Sequence, residues 1–287
     1  MIFINIGIDI GGSHIGMGLV DENIIIKERK DIYYASNTFT PEVIFEVIND
    51  FINEYEEDVE TIGIGIPGFA TDTFINYTCN LPLKDFEVTD YIKTKLPIYI
   101  SNDANCATIA EYEFADHKMY SNYILVTVGT GIGAGIILNG NLYTGSTGAS
   151  GEIGHMVIDK DGLLCKCGRR GCFEKYASVS ALLKTTGAEN LNEVFYLSEK
   201  NNNIQNVLDN YIENLSEGLA NVVNMYDPEM LVIGGSLSEF SDEIIYKLKS
   251  KIFPKLYNKD AHELSIKAAS LKNDAGIIGA SILSKYL

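Results

Sequence analysis

Residues 8–24 (IDIGGSHIGMGLVDENI) and 126–142 (VTVGTGIGAGIILNGNL) can be laid over one another without a gap. An apolar strand pattern, a glycine turn, a second strand pattern and an Asn-containing turn fall in the same register. Only Gly11 with Gly129 and Asn23 with Asn141 are identical, so what repeats is a physical pattern and not a stretch of residues. Two such units in a chain of 287 residues predict a duplicated fold, because that length exceeds the usual reach of one hydrophobic core. Chance similarity of two glycine hairpins is the alternative. The duplication sets a domain boundary near residues 115–121, with one α/β domain over 1–117 and a second over 118–273.

The rest of the chain alternates strand and helix signals. Residues 2–10, 15–20 and 24–32 read as a meander of strands. Thr40 as N-cap and Pro41 at the first helical position open a helix with Val43, Ile44, Val47, Ile48, Phe51 and Ile52 on one face. Strands follow at 62–67 and 97–100, the second leading into a helix that starts near Asp103. Residues 145–175 are rich in loop signals. A long helical pattern over 204–226 ends at Asp227-Pro228, followed by a strand at 230–235, a helix near 241–252, a strand at 265–270 and a last helix opened by Asp274. Strands alternating with helices argue an α/β class in which helices cover the sheets.

Composition narrows the partners. The 22 Lys and Arg against 39 Asp and Glu leave a net charge of −17, a field that repels nucleic-acid backbones and anionic headgroups alike. Neither nucleic acid nor membrane is an expected partner. A nucleotide would have to find local neutralisation from backbone N–H groups or a cation. The opening run 1–10 carries no basic leader or cleavage site and runs directly into Asp9 and a glycine turn, so it reads as a buried strand. A cytoplasmic location follows, in which the five cysteines are reduced thiols or metal ligands.

His155, Cys165, Cys167 and Cys172 stand as H-x9-C-x-C-x4-C, with Gly168 and Gly171 allowing tight turns between them. One imidazole and three thiolates are the tetrahedral set zinc prefers, and four protein ligands leave no open position, so the site would be structural. A disulfide or idle thiols are the alternative. Asp9 ends a strand at the turn Gly11-Gly12-Ser13, where absent side chains let backbone N–H groups approach a phosphate, though most glycine pairs after strands are only hairpins. Asp103 stands where a strand meets a helix. On its own it is as well explained by helix capping as by catalysis; the flanking Asn102 and Asn105, which can contact a hydroxylated substrate, favour catalysis.

The segment 151–174, GEIGHMVIDKDGLLCKCGRRGCFE, resembles the signature of the ROK family of bacterial sugar kinases and sugar-responsive repressors, with glucokinases and N-acetylmannosamine kinases as the nearest branches. DIGGSHIGMGLVD (9–21), GIGIPG (63–68), SNDANCATIAE (101–111), GTGIGAGIILNG (129–140) and GGSLS (234–238) resemble further family blocks in the same order. The resemblance implies an actin-like (ribonuclease H-like) ATPase fold of two α/β domains, a cleft between them holding the active site, and a C-terminal helix of about 274–287 packed back on the first domain. It implies ATP-dependent phosphorylation of a hexose, with glucose the first-choice substrate and N-acetylmannosamine or another N-acetylhexosamine the second. Asp103 would be the catalytic base. Gly68, Asn80, Asn102, Asp103, Glu152, His155 and Glu174 would bind the sugar. Asp9, Gly11, Gly12, Ser13, Thr130, Gly131, Gly133, Gly234 and Gly235 would surround ATP and its Mg2+, and the zinc ligands would be the four residues above. A homodimer or homotetramer is implied as well.

His14 departs from the Lys or small polar residue common in the family, Thr71 from an acidic one, and no tryptophan is present. These changes bear on substrate and nucleotide affinity. A repressor of the same family would carry a helix-turn-helix ahead of the first strand, which here starts at residue 2; a non-catalytic sugar sensor could lose Asp103, Asp9 or a glycine turn, and this chain has all of them. The kinase reading is therefore preferred.

Overall fold

The computed structural model describes residues 4–34, 40–79, 81–258 and 263–287, with backbone alone for 115, 116 and 238–243. Strands β1 (Ile4–Ile10), β2 (His14–Asp21) and β3 (Ile26–Tyr33) form the opening meander. They are followed by helix α1 (Pro41–Tyr55), β4 (Ile62–Ile66), the short strands β5 (Gly68–Thr71), β6 (Phe74–Thr78) and β7 (Phe86–Glu87), then β8 (Ile98–Asn102) and α2 (Asp103–Glu113). The later chain gives β9 (Tyr123–Val128), β10 (Ile132–Leu138), β11 (Asn141–Leu142), helices α3 (Glu174–Ala177), α4 (Val179–Thr186), α5 (Leu191–Ser198) and α6 (Asn202–Tyr226), then β12 (Met230–Gly234), α7 (Ser241–Ile252), β13 (Ser265–Ala268) and α8 (Ala275–Ser281).

The repeat is visible in the sheets. The first has the order β3-β2-β1-β4-β8 and the second β11-β10-β9-β12-β13, so the glycine hairpin occupies the same place in both; a later strand joins its first strand, and a further one joins that strand at the sheet's edge. β1, β4 and β8 run parallel, as do β9, β12 and β13. Both hairpin turns span three residues between strand ends, and in both the leading glycine donates its N–H back across the turn, Gly11 to His14 O at 2.8 Å and Gly129 to Gly131 O at 3.0 Å.

Two compact units emerge, one of residues 1–119, 135–150 and 273–287, the other of 120–134 and 151–272. The segment 135–150, assigned by sequence to the second part, groups with the first. Gly135 explains this locally: a Cβ there would collide with Thr108 and with the Ala104 carbonyl of α2, so strand β10 presses on that helix.

In the first unit, Thr40 caps α1 by accepting the Val43 N–H on Oγ1 at 3.4 Å, and Ile44, Phe45, Ile48, Phe51 and Ile52 are buried against Ile6, Ile8, Ile62 and Ile64. Phe45 joins the core and Val43 leaves it, a rotation of the apolar face by about one residue relative to the sequence pattern. Asp274 does not cap α8 with its side chain; its carboxylate pairs with Arg29, because β3 brings that guanidinium to the helix entrance. Helix α8 lies on β1 and β4 at glycines. A Cβ on Gly7 would overlap the Ile277 carbonyl, and one on Gly63 the Ala280 carbonyl. Among the described residues no helix is long and apolar enough to cross a membrane.

Because a rigid strand and a helix backbone meet there, Gly63→Ala is expected to destabilise the protein by about 1–3 kcal/mol, as overpacked cores do. Urea unfolding with an unchanged midpoint would contradict this packing.

Candidate active site

In the first unit the candidate residues collect at the carboxyl ends of parallel strands, the usual ligand-binding edge of an α/β sheet. Register places Asp9 beside Gly65, and Gly65 beside Ser101, across β1, β4 and β8. Gly12 and Ser13 of the turn after β1 are exposed. Asp9 is half-buried, and a Cβ on Gly276 would collide with its carboxylate, so the glycine makes room for it at the start of α8. Burial raises the Asp9 carboxyl above its usual range, opposed by the nearby charges of His14 and Arg29. His14 Nε2 meets Asp31 Oδ1 at 3.1 Å, its ring stacks on Tyr33 at 5.2 Å, and Arg29 holds both Asp31 and Asp274. The residue that departs from the family pattern is thus anchored in a charged network.

Helix α2 resolves the ambiguity over its first residues. Asn102 is the N-cap: it has extended backbone, and its Oδ1 accepts from Ala104 N at 2.8 Å and Asn105 N at 3.4 Å. Asp103 is the first helical residue, its Oδ1 taking the Ala104 N–H at 2.8 Å. Asn102 Nδ2 donates to the Gly68 carbonyl at 3.0 Å, which leaves one N–H of that amide for a ligand. Gly68 sits flush on β6, where a Cβ would overlap the Tyr77 carbonyl. Asn80 lies outside the described residues. Sequence reasoning missed Cys106, a fully buried thiol one turn into α2 whose ionisation is pushed well up by burial and by the carboxylates of Asp9 and Asp103. Its spacing of three from Asp103 was the available signal.

In the second unit the glycine turn 129–131 and the pair Gly234-Gly235 follow the adjacent parallel strands β9 and β12, whose register sets Gly234 beside Thr127. Thr130 is exposed, and Gly131 and Gly133 are half-buried. Gly235 has φ 73°, and a Cβ there would lie 2.6 Å from the Val128 carbonyl, so only glycine suits it. The Gly129 carbonyl accepts the Val179 N–H at 2.9 Å, which ties the turn to the head of α4.

The donor atoms of His155, Cys165, Cys167 and Cys172 all lie within 4.8 Å of one another. Cys167 Sγ and Cys172 Sγ stand 3.5 Å apart, beyond disulfide bonding distance, and the cysteines are free thiols. His155 Nδ1 faces Cys165 Sγ at 3.7 Å, while its Nε2 lies 4.0 Å from Glu152 Oε2. A ring with one nitrogen toward the thiols and the other toward a carboxylate is the arrangement that fixes a metal-binding histidine. Backbone amides pull the Cys167 thiol down while burial pushes Cys165 and Cys172 up, so a cation would be needed to hold all three as thiolates. The donor set fits zinc. Glu174 opens α3 with Oε1 at 3.2 Å from Cys165 Sγ, and its Oε2 lies 3.1 Å from where a Cβ on Gly131 would be. The loop and the glycine turn therefore meet at this carboxylate.

Two sheets of one topology, each with a glycine turn after its first strand, define an actin-like ATPase fold. A match to the ROK family spans residues 5–286. The chain is 30% identical over 312 residues to a glucokinase of Halalkalibacterium halodurans, covering 98% of this chain and 94% of that one. It is 31% identical over 290 residues to the xylose repressor of Bacillus subtilis, covering 96% of this chain and 76% of the repressor. Among solved structures, the Streptomyces griseus ROK glucokinase in complex with glucose and AMPPNP superposes with a TM-score of 0.81 at 28% identity over 98% of each chain. The chain belongs to the ROK family.

Two measurements follow. Metal analysis of protein purified without chelator is expected to give one zinc per chain, lost in Cys172→Ser together with resistance to trypsin at Lys166, Arg169 and Arg170; a metal-free wild type would remove the site. For Asp9, an acid whose pKa is raised on folding binds its proton more tightly in the folded chain, so it costs stability as pH rises through that window. Asp9→Asn should raise the unfolding temperature of the ligand-free protein at about pH 8 and change it little near pH 4. Equal shifts at both pH values would rule out burial as the cause.

Proposed function

We propose that the protein is an ATP-dependent sugar kinase that phosphorylates a hexose ring, with glucose the first choice of ring and an N-acetylhexosamine such as N-acetylmannosamine the second. The observation that carries the reading is Asp103. Asn102 performs the capping at the head of α2, and Asp103 stands at the carboxyl edge of the parallel strands with Asp9 close by. The relatives that are kinases support it.

In the reaction, the C6 hydroxyl oxygen of the sugar attacks the γ-phosphorus of ATP in line. A new oxygen–phosphorus bond forms, the bond to the β,γ-bridging oxygen breaks, ADP leaves, and the hydroxyl proton passes to a carboxylate oxygen of Asp103. Asn102, with its remaining amide N–H, and Gly68 would position the sugar near this base; Glu152 and Glu174 would accept from sugar hydroxyls, with His155 between them. Backbone N–H groups of Gly12 and Ser13, in the turn that the Gly11 N–H closes, and of Thr130, Gly131 and Gly133, would meet the phosphates, and Gly234-Gly235 the nucleoside. Magnesium, when bound, neutralises charge on the phosphates, and Asp9 is the carboxylate that would hold it, its burial and raised pKa marking a place suited to a cation. The zinc ligands would brace the loop that carries Glu152 and Glu174.

The similarity to a xylose repressor gives a second reading, a sugar sensor without turnover. A coupled ADP-release assay over glucose, mannose, fructose, N-acetylmannosamine and N-acetylglucosamine separates the two. Asp103→Asn is expected to lower kcat by about 10²- to 10⁴-fold, the usual worth of a positioned base, with sugar binding largely kept. A variant as fast as wild type would refute the assignment.

A further inference from the structure

We propose that the cavity along β8 is a carbohydrate subsite for a second sugar ring, joined glycosidically to the ring phosphorylated at Asp103; the inference rests on the kinase reading above. The cavity measures about 380 Å³ and belongs wholly to the first unit. It runs along β8 from Ile98 to Asn102, between the β5–β6 turn, the loop 144–148 and Leu287. That volume falls within the range of about 300–1,000 Å³ usual for small-ligand sites. One end is Asn102, the neighbour of Asp103, so a ligand that extends from the reacting ring past Asn102 enters it.

The lining selects the ligand class. Thr71, Thr144, Ser146 and Thr147 bring hydroxyls, Tyr99 an aromatic ring and Asp72 a carboxylate. Hydroxyl groups both donate and accept, and a carboxylate takes two hydrogen bonds from adjacent hydroxyls, which matches the vicinal diols of a sugar. An aromatic ring suits the apolar face of the same ring. β8 is also the last strand of its sheet, so one side of its backbone carries no further strand of that sheet and offers N–H and C=O groups at regular spacing. Among the described residues no Lys, Arg or His lines the cavity, so a phosphorylated or carboxylated ligand would meet no countercharge from them in a chain of net charge −17.

The walls are built to hold position. Gly148 has φ 75°, and a Cβ there would lie 2.8 Å from the Ala70 carbonyl, so the loop presses on β5. The loop is closed by Ser150, whose N–H donates to Thr144 O at 3.2 Å and whose hydroxyl donates to Tyr143 O at 2.5 Å. Opposite, Thr71 donates to Asn76 Oδ1 at 3.2 Å, which leaves its oxygen to accept. Asp72 sits at φ 52° at the tip of the β5–β6 turn. The preferred phosphoryl acceptor is therefore a glycoside or disaccharide, its non-reducing ring at Asp103 and its second ring in this cavity.

The test is ADP release by the full chain with glucose, methyl glucoside, cellobiose, maltose and trehalose, for wild type, Thr147→Trp, which adds an indole to the cavity lining, and Asp72→Asn, which keeps a side chain that tolerates positive φ. At least one disaccharide should exceed glucose about tenfold in kcat/KM, mostly through KM. Thr147→Trp should cut that value at least tenfold more than it cuts the glucose value, and Asp72→Asn should raise the disaccharide KM several-fold. Disaccharides no better than glucose, or a Thr147→Trp loss equal for both, would overturn the subsite and leave the kinase reading standing. Failure of the kinase reading looks different, with no ADP released for any sugar; calorimetric titration of the same disaccharides then decides, binding abolished by Thr147→Trp sustaining the subsite and no binding to wild type overturning it.

Discussion

The first unit depends on backbone packed directly against backbone. Helix α8 can approach β1 and β4 only because Gly7 and Gly63 present no side chain to it, and Gly279 lets the same helix close on the Cys106 carbonyl of α2. Three elements distant in sequence are thereby locked at near-minimal separation, and the two carboxylates of the candidate site sit on two of them. Asp9 ends β1 in the space left at Gly276, and Asp103 opens α2. A side chain added at any of these contacts would move a strand or helix axis, and with it a carboxylate. Phosphoryl transfer depends on alignment more than on any covalent step by the protein, so the stiffness of this packing and the proposed chemistry belong together.

Charge sets the second constraint. A chain of net charge −17 opposes a nucleotide at long range, so attraction has to be local and directional. Each sheet supplies a glycine turn at the same topological place, after its first strand, where N–H groups are not shielded by side chains. The Asp31–Arg29–Asp274 network beside Asp9 works in the same direction, since Arg29 is one of two nearby cations that offset the burial of the Asp9 carboxylate.

Patterns with a period were legible in the sequence. The repeated hairpin named the shared topology of both sheets with only two identical residues, because alternation and glycine position survive when identity does not. Thr40-Pro41 gave the start of α1 to the residue. The small sheet of β5, β6 and β7 went unread, since its strands are two to five residues long and show no alternation that stands out. Asp274 looked like a cap because its type and place suit one, yet a guanidinium from β3, far away in sequence, competes for it. At α2 the residue read as a possible cap was Asp103, but the cap falls one residue earlier, on Asn102, whose extended backbone and side-chain acceptance of the Ala104 and Asn105 N–H groups depend on how the strand turns into the helix. The His155 and cysteine cluster was readable because metal ligation restricts both residue type and spacing; the approach of Glu174 to Cys165 was not, because it depends on how the loop closes.

That approach has a consequence for the division of labour in the second unit. Glu174 has Oε1 near Cys165 and Oε2 near Gly131, so a displacement of the cysteine loop is carried straight to the glycine turn. Phe173, just before it, is fully buried and packs against Gly218 of α6, where a Cβ would collide with its ring, which fixes the chain on the other side. The loop is thus clamped between a long helix and a metal-type cluster, with the carboxylate at the clamp. A structural cation held there would bear on the proposed chemistry only through position, since four protein donors would leave no site for a substrate oxygen. This accounts for a closed donor set standing beside proposed sugar-binding carboxylates without the cation itself taking part in phosphoryl transfer.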